Sequence, residues 1–121
     1  MKTTTSISGI LKNLRAGCHD DSEKYAVLKR VLDQAFERAS KGKGAEHHSF
    51  GEQFENQFII RGARRFGLGA LQFQIAKKNE QICKIQDQNT QAKINEFLDI
   101  INYAAAAVIL LEERARQTIP K

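Results

Sequence analysis

Three arginines lie close together near the middle of the sequence, in the stretch RGARR. Arg61, Arg64 and Arg65 have the i, i+3 and i+4 spacing that places side chains on one face of a helix. Three guanidinium groups on one face repel one another unless an anion lies between them, and each guanidinium fork matches two phosphate oxygens. The glycines that follow, Gly67 and Gly69, allow backbone amides to approach an anion closely. The stretch therefore predicts a phosphate-binding face.

A second basic stretch, KGKGAEHH, opens the segment of residues 41–56. Lys41 and Lys43 alternate with glycines, and His47 and His48 follow. Glycine-rich loops cradle phosphate through their amides, although the spacing of a Walker loop is absent here. The two histidines lack the spacing of an HExxH or HxH metal site. We expect a loop whose lysines and histidines face a bound anion; a linker between two helices is the alternative.

Two pairs of carboxylates offer a different chemistry. Glu52 and Glu55 form an ExxE pair, and Glu96 and Asp99 form an ExxD pair. Carboxylates at i and i+3 share a helix face and can hold Mg²⁺ together with substrate phosphates. The two pairs resemble those of helical nucleotide pyrophosphohydrolases of the MazG type, although that family keeps them closer in sequence. The resemblance implies an Mg²⁺-dependent enzyme with these four catalytic carboxylates. In the simplest alternative, Glu52 or Glu55 neutralises the RGARR arginines at the surface.

The charge of the chain also favours an anionic partner. The net charge is +5 over 121 residues, and the nine Lys and Arg and four Glu of residues 38–84 account for the whole surplus. A basic centre predicts a nucleotide, a phosphorylated metabolite or a nucleic acid as partner. Nucleic acid is the least favoured of these, because the aromatic residues are mostly phenylalanines at core spacing and no helix-turn-helix or RNP pattern is present.

The elements that must position these groups are helices. Proline occurs once, and Ala, Leu, Ile, Gln, Glu and Lys are abundant, which predicts an all-α chain. The apolar spacing predicts a helix over residues 22–40, a second helix that begins near residues 54–57, a break at FGLG, a third helix through ALQFQIAKKNEQICKIQ and a last helix capped by Asn89 or Thr90. We expect a small bundle of about four helices. It forms one domain over residues 1–121, with residues 1–20 as an arm or short helix.

The last predicted helix carries apolar residues on one side. They are Ile94, Phe97, Leu98, Ile101, Ala105 and Val108. Its run of four alanines at residues 104–107 allows another helix to approach closely. We therefore expect a homo-oligomer formed by helix packing, with binding sites between subunits.

The cysteines and the apolar runs predict a compartment. Cys18 and Cys83 lie far apart and show no zinc spacing, which favours buried free thiols in a reducing cytosol. The N-terminus lacks the long apolar core of a secretory signal. The longest apolar run, YAAAAVILL, has nine residues, whereas a bilayer span requires about 20. These features predict a cytoplasmic protein without membrane contact.

Three longer stretches, KGKGAEHHSFGEQFENQ, GLGALQFQIAKK and INEFLDIINYAAAAVILLEE, together resemble a group of small, uncharacterised phage and prophage proteins. The resemblance extends over residues 38–113. The matching residues are His47, Phe54, Gln57, Gly69, Lys77, Lys78, Asn95, Glu96, Asn102 and Tyr103. The chain departs from the pattern at His48 and over residues 72–74. No biochemical activity is attached to the group, so the resemblance implies a viral origin rather than a reaction.

A viral origin implies a use for the basic centre. Small oligomeric phage proteins include sponges, which bind nucleotide second messengers of host defence systems and hold them intact. By this analogy, we expect the chain to sequester a nucleotide-derived immune signal in the host cytoplasm, without a cofactor or metal. The expected ligand-binding residues are Lys41, Lys43, His47, His48, Arg61, Arg64, Arg65, Lys77, Lys78, Asn102 and Tyr103. In the enzyme alternative, Mg²⁺ is the cofactor and Arg64, Arg65 and Lys77 hold the phosphates.

Overall fold

The computed structural model describes residues 20–41 and 52–118. Four α-helices follow one another: α1 (Ala26–Lys41), α2 (Phe58–Phe66), α3 (Gly69–Lys84) and α4 (Thr90–Thr118). Short 3₁₀ turns precede α1 and α2, at Ser22–Tyr25 and Phe54–Asn56. The two described ranges contain no β-strand. The prediction of an all-α chain with about four helices is therefore confirmed, whereas the predicted arm of residues 1–20 lies almost wholly outside the described residues.

Contacts divide the chain into two compact units, Met1–Val31 and Leu32–Lys121, with the boundary inside α1. In the first unit, the Oδ1 of Asp20 accepts a hydrogen bond from the Ser22 amide at 3.0 Å. The second unit contains the end of α1 and helices α2 to α4. All the contacts described below lie within this second unit. The expectation of one domain over residues 1–121 stays a prediction.

A sharp turn separates α2 from α3, and a glycine makes this turn possible. Gly67 has a φ of 103°, and its amide donates to the Ala63 carbonyl oxygen at 2.8 Å, which closes the last turn of α2. The Leu68 carbonyl oxygen then accepts hydrogen bonds from the amides of Leu71 and Gln72, each at 2.9 Å, and these bonds start α3. A positive φ is costly for residues with a Cβ atom. The predicted break at FGLG is confirmed.

The core of the second unit lies where α2, α3 and α4 meet. Its buried residues are Ile60, Ala63, Leu71, Ala106 and Leu110. Ala63 and Ala106 are small, so the helices approach closely around them. Ile60 and Leu71 are the largest fully buried side chains, and burial of a side chain of this size contributes about 1.5–3 kcal/mol. This packing fixes α4 against α2 and α3, and it thereby sets the direction of every other side chain on α4.

The buried side of α4 differs from the side that the apolar pattern indicated. Of the six residues predicted to share one side, Leu98 is buried and Ile101 is partly buried. The others, Ile94, Phe97, Ala105 and Val108, are exposed. The core takes Ala106 and Leu110 instead. Apolar residues surround most of α4, so their spacing alone does not specify which side packs against α2 and α3.

α4 is long and apolar enough to cross a membrane over Thr90–Gln117, and an 18-residue stretch within it has a mean hydropathy of 1.6. The sequence prediction counted only the longest unbroken apolar run, whereas a membrane-spanning helix can contain a few polar residues. A core helix of a soluble protein can have the same length and composition. The carboxylates of Glu96 and Asp99 on α4 also form ion pairs with Lys78 and Arg38 of other helices. Length and composition alone therefore do not place α4 in a bilayer.

The thiol of Cys83 is free and exposed on α3, which corrects the prediction of a buried thiol. Cys83 lies near the end of α3, well beyond the core residue Leu71. A residue near the end of a helix that extends past its core stays accessible to water. Cys18 lies outside the described residues.

Candidate functional site

Four charged side chains from three helices meet beside the core. Arg38 comes from the last turn of α1, Lys78 from the middle of α3, and Glu96 and Asp99 from adjacent turns of α4. Between 18% and 23% of each side chain is exposed. We call these four residues the charged cluster. Its members are half-buried because α1 and α3 lie on either side of this part of α4.

Asp99 lies at the centre of the charged cluster. Its Oδ1 accepts a hydrogen bond from Arg38 Nε at 2.6 Å, and its Oδ2 accepts one from Arg38 Nη2 at 3.2 Å. Lys78 Nζ lies 3.0 Å from Asp99 Oδ2 and 3.3 Å from each carboxylate oxygen of Glu96. The ammonium group is thus held between two carboxylates. The bidentate contact of Arg38 ties α1 to α4.

These contacts shift the protonation equilibria of the charged cluster. Burial disfavours ionised Asp99, but hydrogen bonds from Arg38 and Lys78 outweigh burial and lower the pKa of this carboxyl. The hydrogen bond to Asp99 raises the pKa of the Arg38 guanidinium. Burial also disfavours the charged form of Lys78, yet its hydrogen bonds to Asp99 and Glu96 raise the pKa of the ammonium group. Arg38, Lys78 and Asp99 are therefore stabilised in their charged forms.

A pocket of about 640 Å³ opens beside the charged cluster. Its wall is formed by α1, by Glu52, Phe54 and Gln57 in and around the 3₁₀ turn that precedes α2, and by the middle of α4. Most of the wall is apolar, with Leu32 and Phe36 of α1 facing Ile101 and Ile109 of α4. Small-molecule sites have volumes of about 300–1,000 Å³ and similar apolar walls. The size and lining of this pocket therefore suit a small organic ligand.

Polar side chains interrupt the apolar wall at a few positions. They are Ser40, Glu52, Gln57 and Asn102. Gln57 is buried. Asn102 donates from Nδ2 to the Ala35 carbonyl oxygen at 2.9 Å, so its Oδ1 remains an acceptor. Amide side chains match the donor and acceptor edges of nucleobases, and aromatic rings such as Phe36 offer a surface on which a base stacks.

The pocket and the charged cluster lie one helical turn apart on two helices. Asn102 follows Asp99 by three residues in α4, and Ala35 of the pocket wall precedes Arg38 by three residues in α1. Residues at this spacing share a helix face. Arg38 uses Nε and Nη2 on Asp99, and a guanidinium has five N–H donors. Arg38 is not among the residues that line the pocket, and only the N–H donors that Asp99 leaves free are available to an anionic group beside it.

Acceptors of the chain itself engage the arginines of RGARR. Arg61 contacts Glu52, and its Nη1 donates to the Asn56 carbonyl oxygen at 2.7 Å. The guanidinium of Arg65 lies 5.5 Å from the centre of the Phe66 ring. For Arg61, the structure therefore agrees with the alternative in which Glu52 neutralises an arginine of this stretch at the surface.

Arg64 is engaged as fully as Arg61. Its Nε and Nη2 bind the carboxylate of Glu113 at 3.0 and 3.1 Å, and Nη2 also donates to the Glu55 carbonyl oxygen at 2.8 Å. The hydrogen bond raises the pKa of Arg64 and lowers that of Glu113. The three arginines do not converge on one empty phosphate site, because α2 places Arg61 and Arg64 beside the carboxylates of two different segments.

The two predicted carboxylate pairs do not meet. Glu96 and Asp99 hold Lys78, whereas Glu52 contacts Arg61 and reaches the wall of the pocket. Within residues 20–41 and 52–118, no three His, Cys, Asp or Glu side chains form a group that could hold a metal ion. The four-carboxylate Mg²⁺ site of the enzyme alternative is therefore not assembled from these ranges.

The remaining predicted residues are dispersed. Lys41 pairs with Glu37 at 3.2 Å on the exposed end of α1, and Lys77 is exposed on α3. Tyr103 packs against the core, where burial raises the pKa of its hydroxyl. Lys43, His47 and His48 lie outside the described residues. Of the predicted ligand-binding residues, the structure places Lys78 in the charged cluster and Asn102 in the pocket wall.

The sequence analysis missed Arg38 as a candidate site residue. Arg38 shares a face of α1 with Ala35, which is buried. A charged residue among apolar residues on one helix face indicates a buried ion pair, because buried charges are almost always paired. The sequence contained this signal, but it did not identify the partner carboxylate, because Asp99 lies 61 residues further along the chain.

No family model, no curated protein and no solved structure matches this chain. The pocket and the charged cluster are therefore the basis on which its function is argued.

Proposed function

We propose that this protein binds a nucleotide-derived signalling molecule and sequesters it without cleavage, as a phage-type anti-defence protein in the host cytoplasm. One observation carries the proposal: an apolar pocket with two amide side chains lies one helical turn along α1 from the half-buried guanidinium of Arg38. A nucleotide has the matching parts, an aromatic base and an anionic phosphate group.

The base part of the ligand is held by the pocket wall. Phe36 lies in this wall with 65% of its surface exposed, so its ring is available for stacking. Stacking of a base on an aromatic side chain is worth about 1–3 kcal/mol. Gln57 and Asn102 supply donors and acceptors for the edge of the base.

The phosphate part of the ligand is held by the N–H donors of Arg38 that Asp99 leaves free, since Lys78 Nζ already contacts three carboxylate oxygens. Charge-assisted hydrogen bonds from a guanidinium are stronger than neutral ones, and half-burial weakens their screening by salt. The net charge of +5 adds a long-range attraction for anionic ligands. The carboxylate in the pocket wall, Glu52, is paired with Arg61, so binding without cleavage is the simplest outcome.

A second candidate function is Mg²⁺-dependent nucleotide pyrophosphohydrolysis, and the placement of Lys78 favours it. Glu96 and Asp99 already hold one cation, the ammonium of Lys78, at 3.3 and 3.0 Å. A pair of carboxylates that binds an ammonium group can also supply oxygen ligands to Mg²⁺. Lys78 would then be released toward the phosphates of the substrate.

The experiment is an incubation with nucleoside triphosphates, cyclic nucleotides and ADP-ribose derivatives, with and without Mg²⁺. Free ligand is removed by filtration, the protein is denatured by heat, and mass spectrometry identifies what is released. An intact nucleotide released by denaturation is the expected result. A shortened nucleotide that appears only with Mg²⁺ would contradict sequestration and support pyrophosphohydrolysis. If the protein retains and shortens no compound of the panel, both proposed functions are contradicted.

Two matched phenylalanines test the pocket. Phe36→Ala removes the stacking surface and is expected to weaken binding about 5- to 150-fold, the equivalent of about 1–3 kcal/mol. Phe73→Ala is the control, because Phe73 is 66% exposed but lies on α3 and outside the pocket wall. Equal affinities for the two variants would show that the ligand does not use this pocket.

One further variant separates the two candidate functions. Glu96→Gln leaves the pocket wall unchanged but removes one carboxylate from Lys78. Under sequestration, the amount of intact nucleotide retained is preserved. Under pyrophosphohydrolysis, Mg²⁺-dependent turnover is lost while binding survives, so a normal turnover rate would exclude Glu96 as a metal ligand.

A further inference from the structure

Gln57 brings a buried amide group to the wall of the pocket. Only 8% of this residue is exposed. Its side chain makes no capping hydrogen bond to α2, and no other group within residues 20–41 and 52–118 engages the amide. No side-chain nitrogen or oxygen of these ranges is both fully enclosed and unpartnered, so the amide stays accessible from the pocket. A buried amide without a partner is costly, which favours a ligand that hydrogen bonds to it.

The other polar groups of the pocket wall offer mainly acceptors. Ser40 Oγ donates its hydrogen to the Phe36 carbonyl oxygen at 2.8 Å, so its lone pairs remain. Asn102 Nδ2 uses one N–H on the Ala35 carbonyl oxygen, and its Oδ1 is an acceptor. The carboxylate of Glu52 has no donor. The part of the ligand that enters the pocket must therefore bring N–H groups of its own.

The charge of the pocket wall has the same consequence. Glu52 is the only charged residue among the described residues that line the pocket. Its negative charge attracts N–H groups and repels phosphates and carbonyl oxygens. The phosphate of a ligand is therefore disfavoured in the pocket itself, which agrees with its placement at Arg38, outside the wall.

We infer that the pocket selects adenine, so that the sequestered molecule is an adenine nucleotide. This inference rests on the proposed function. The edge of adenine carries an N6 amino donor beside a ring-nitrogen acceptor, and a glutamine amide matches these two groups with two hydrogen bonds. Gln57 Oε1 accepts from the amino group, and Gln57 Nε2 donates to the ring nitrogen. The second N6 hydrogen then meets the acceptor-rich remainder of the wall.

Other common bases bring a carbonyl oxygen into these surroundings. Guanine carries O6 at the position of the adenine amino group, and hypoxanthine does the same without any amino group. Uracil has two carbonyl oxygens, and cytosine has one beside its ring nitrogen. Such an oxygen would meet Glu52 and the Oδ1 of Asn102 as acceptor against acceptor. Adenine is the common base without a carbonyl oxygen, so it suits an acceptor-rich wall best.

The test compares ligands that have the same phosphates but an amino group or an oxygen at position 6 of the purine. The pairs are ATP and ITP, cyclic AMP and cyclic IMP, and ADP-ribose and its hypoxanthine counterpart. Equilibrium dialysis without Mg²⁺ measures the dissociation constants. In the pair that binds, the adenine member is expected to bind about 5- to 150-fold more tightly, as for the loss of a bidentate base contact.

The outcomes separate this inference from the proposed function. Equal affinities within the pair that binds would overturn adenine selection while sequestration stands. Binding of a guanine or pyrimidine nucleotide alone would have the same meaning. If no nucleotide binds, the proposed function fails and adenine selection fails with it.

A variant of Gln57 assigns the selection to its amide. Gln57→Leu removes the amide at similar size, and the two members of the pair are then expected to bind equally. Gln53→Leu is the matched control, because Gln53 is exposed and lies outside the pocket wall; it is expected to keep the wild-type preference. A full adenine preference in Gln57→Leu would overturn the inference.

Thermal unfolding without ligand excludes a purely structural role for Gln57. Because its amide has no partner among the described residues, Gln57→Leu is expected to unfold at the wild-type temperature or above it. A marked fall in unfolding temperature would show that the amide supports the fold, and it would overturn the inference.

Discussion

Lys78 Nζ of α3 and Asp99 Oδ2 of α4 lie 3.0 Å apart, with 19% and 21% of the two side chains exposed. The pair is neither a surface ion pair nor a fully buried one. Water screens it less than it screens a surface pair, and both residues make further contacts, Lys78 with Glu96 and Asp99 with Arg38. Each charge is therefore balanced by the other members of the cluster, and removal of one leaves another uncompensated.

The first prediction concerns the central carboxylate. Asp99→Asn leaves Arg38 and Lys78 without their shared partner, so we expect the free energy of unfolding to fall by about 1–3 kcal/mol, the cost of losing hydrogen bonds to charged groups. Urea unfolding at neutral pH measures this change. Glu80→Gln is the control, because Glu80 pairs with Lys84 at 3.5 Å on the exposed side of α3. Equal effects of the two variants would contradict the structural role of Asp99.

The second prediction concerns pH. The pKa of Asp99 is lowered in the folded protein, so the unfolded chain takes up a proton at this residue more readily than the folded one. The stabilisation is complete above the unfolded pKa of about 3.9 and is lost as the pH falls through the lower folded value. The difference in unfolding free energy between wild type and Asp99→Asn should therefore shrink as the pH falls below about 4. A constant difference down to the lowest pH measured would show that ionised Asp99 is not the source of the stabilisation.

The third prediction compares two glycines. Gly67 has a φ of 103° and a ψ of 168°, a region that is almost exclusive to glycine, so Gly67→Ala should cost about 1–3 kcal/mol. Gly62 lies inside α2, and a Cβ atom there meets nothing within 4 Å. Gly62→Ala should therefore stabilise the helix by up to about 1 kcal/mol. Thermal unfolding of both variants measures the contrast, and effects of the same sign would contradict the described turn.

The fourth prediction concerns the core. Leu71 is fully buried between α2 and α4, so Leu71→Ala should lower the free energy of unfolding by about 2–5 kcal/mol through lost burial and a cavity. Ile82→Ala is a useful comparison, because Ile82 lies on the same helix but is partly exposed, and a smaller loss is expected. Chemical denaturation gives both values. A larger loss for Ile82→Ala would place the core elsewhere.

The fifth prediction distinguishes the RGARR arginines from the pocket. Glu113 and the Glu55 carbonyl oxygen engage Arg64, so the combined change Arg64→Gln and Arg65→Gln should leave nucleotide affinity unchanged. Isothermal titration with the nucleotide identified by the release experiment measures this affinity. A loss of binding would restore these arginines as the phosphate-binding face.

The fold class and the helix boundaries were largely predictable because they depend on local rules. Scarce proline and abundant helix formers indicated helices, and the two glycines of FGLG indicated the break that Gly67 makes.

The tertiary structure alone decided which residues meet. Apolar residues surround α4, so only its packing against α2 and α3 shows that Ala106 and Leu110 lie inside and Phe97 and Val108 lie outside. In the same way, the sequence offered Asp99 as a partner for Glu96 and a metal ion, whereas the fold brings Arg38 and Lys78 to it. Side-chain spacing along one helix specifies a face, but the partner of that face is set by helix packing between distant segments of the chain.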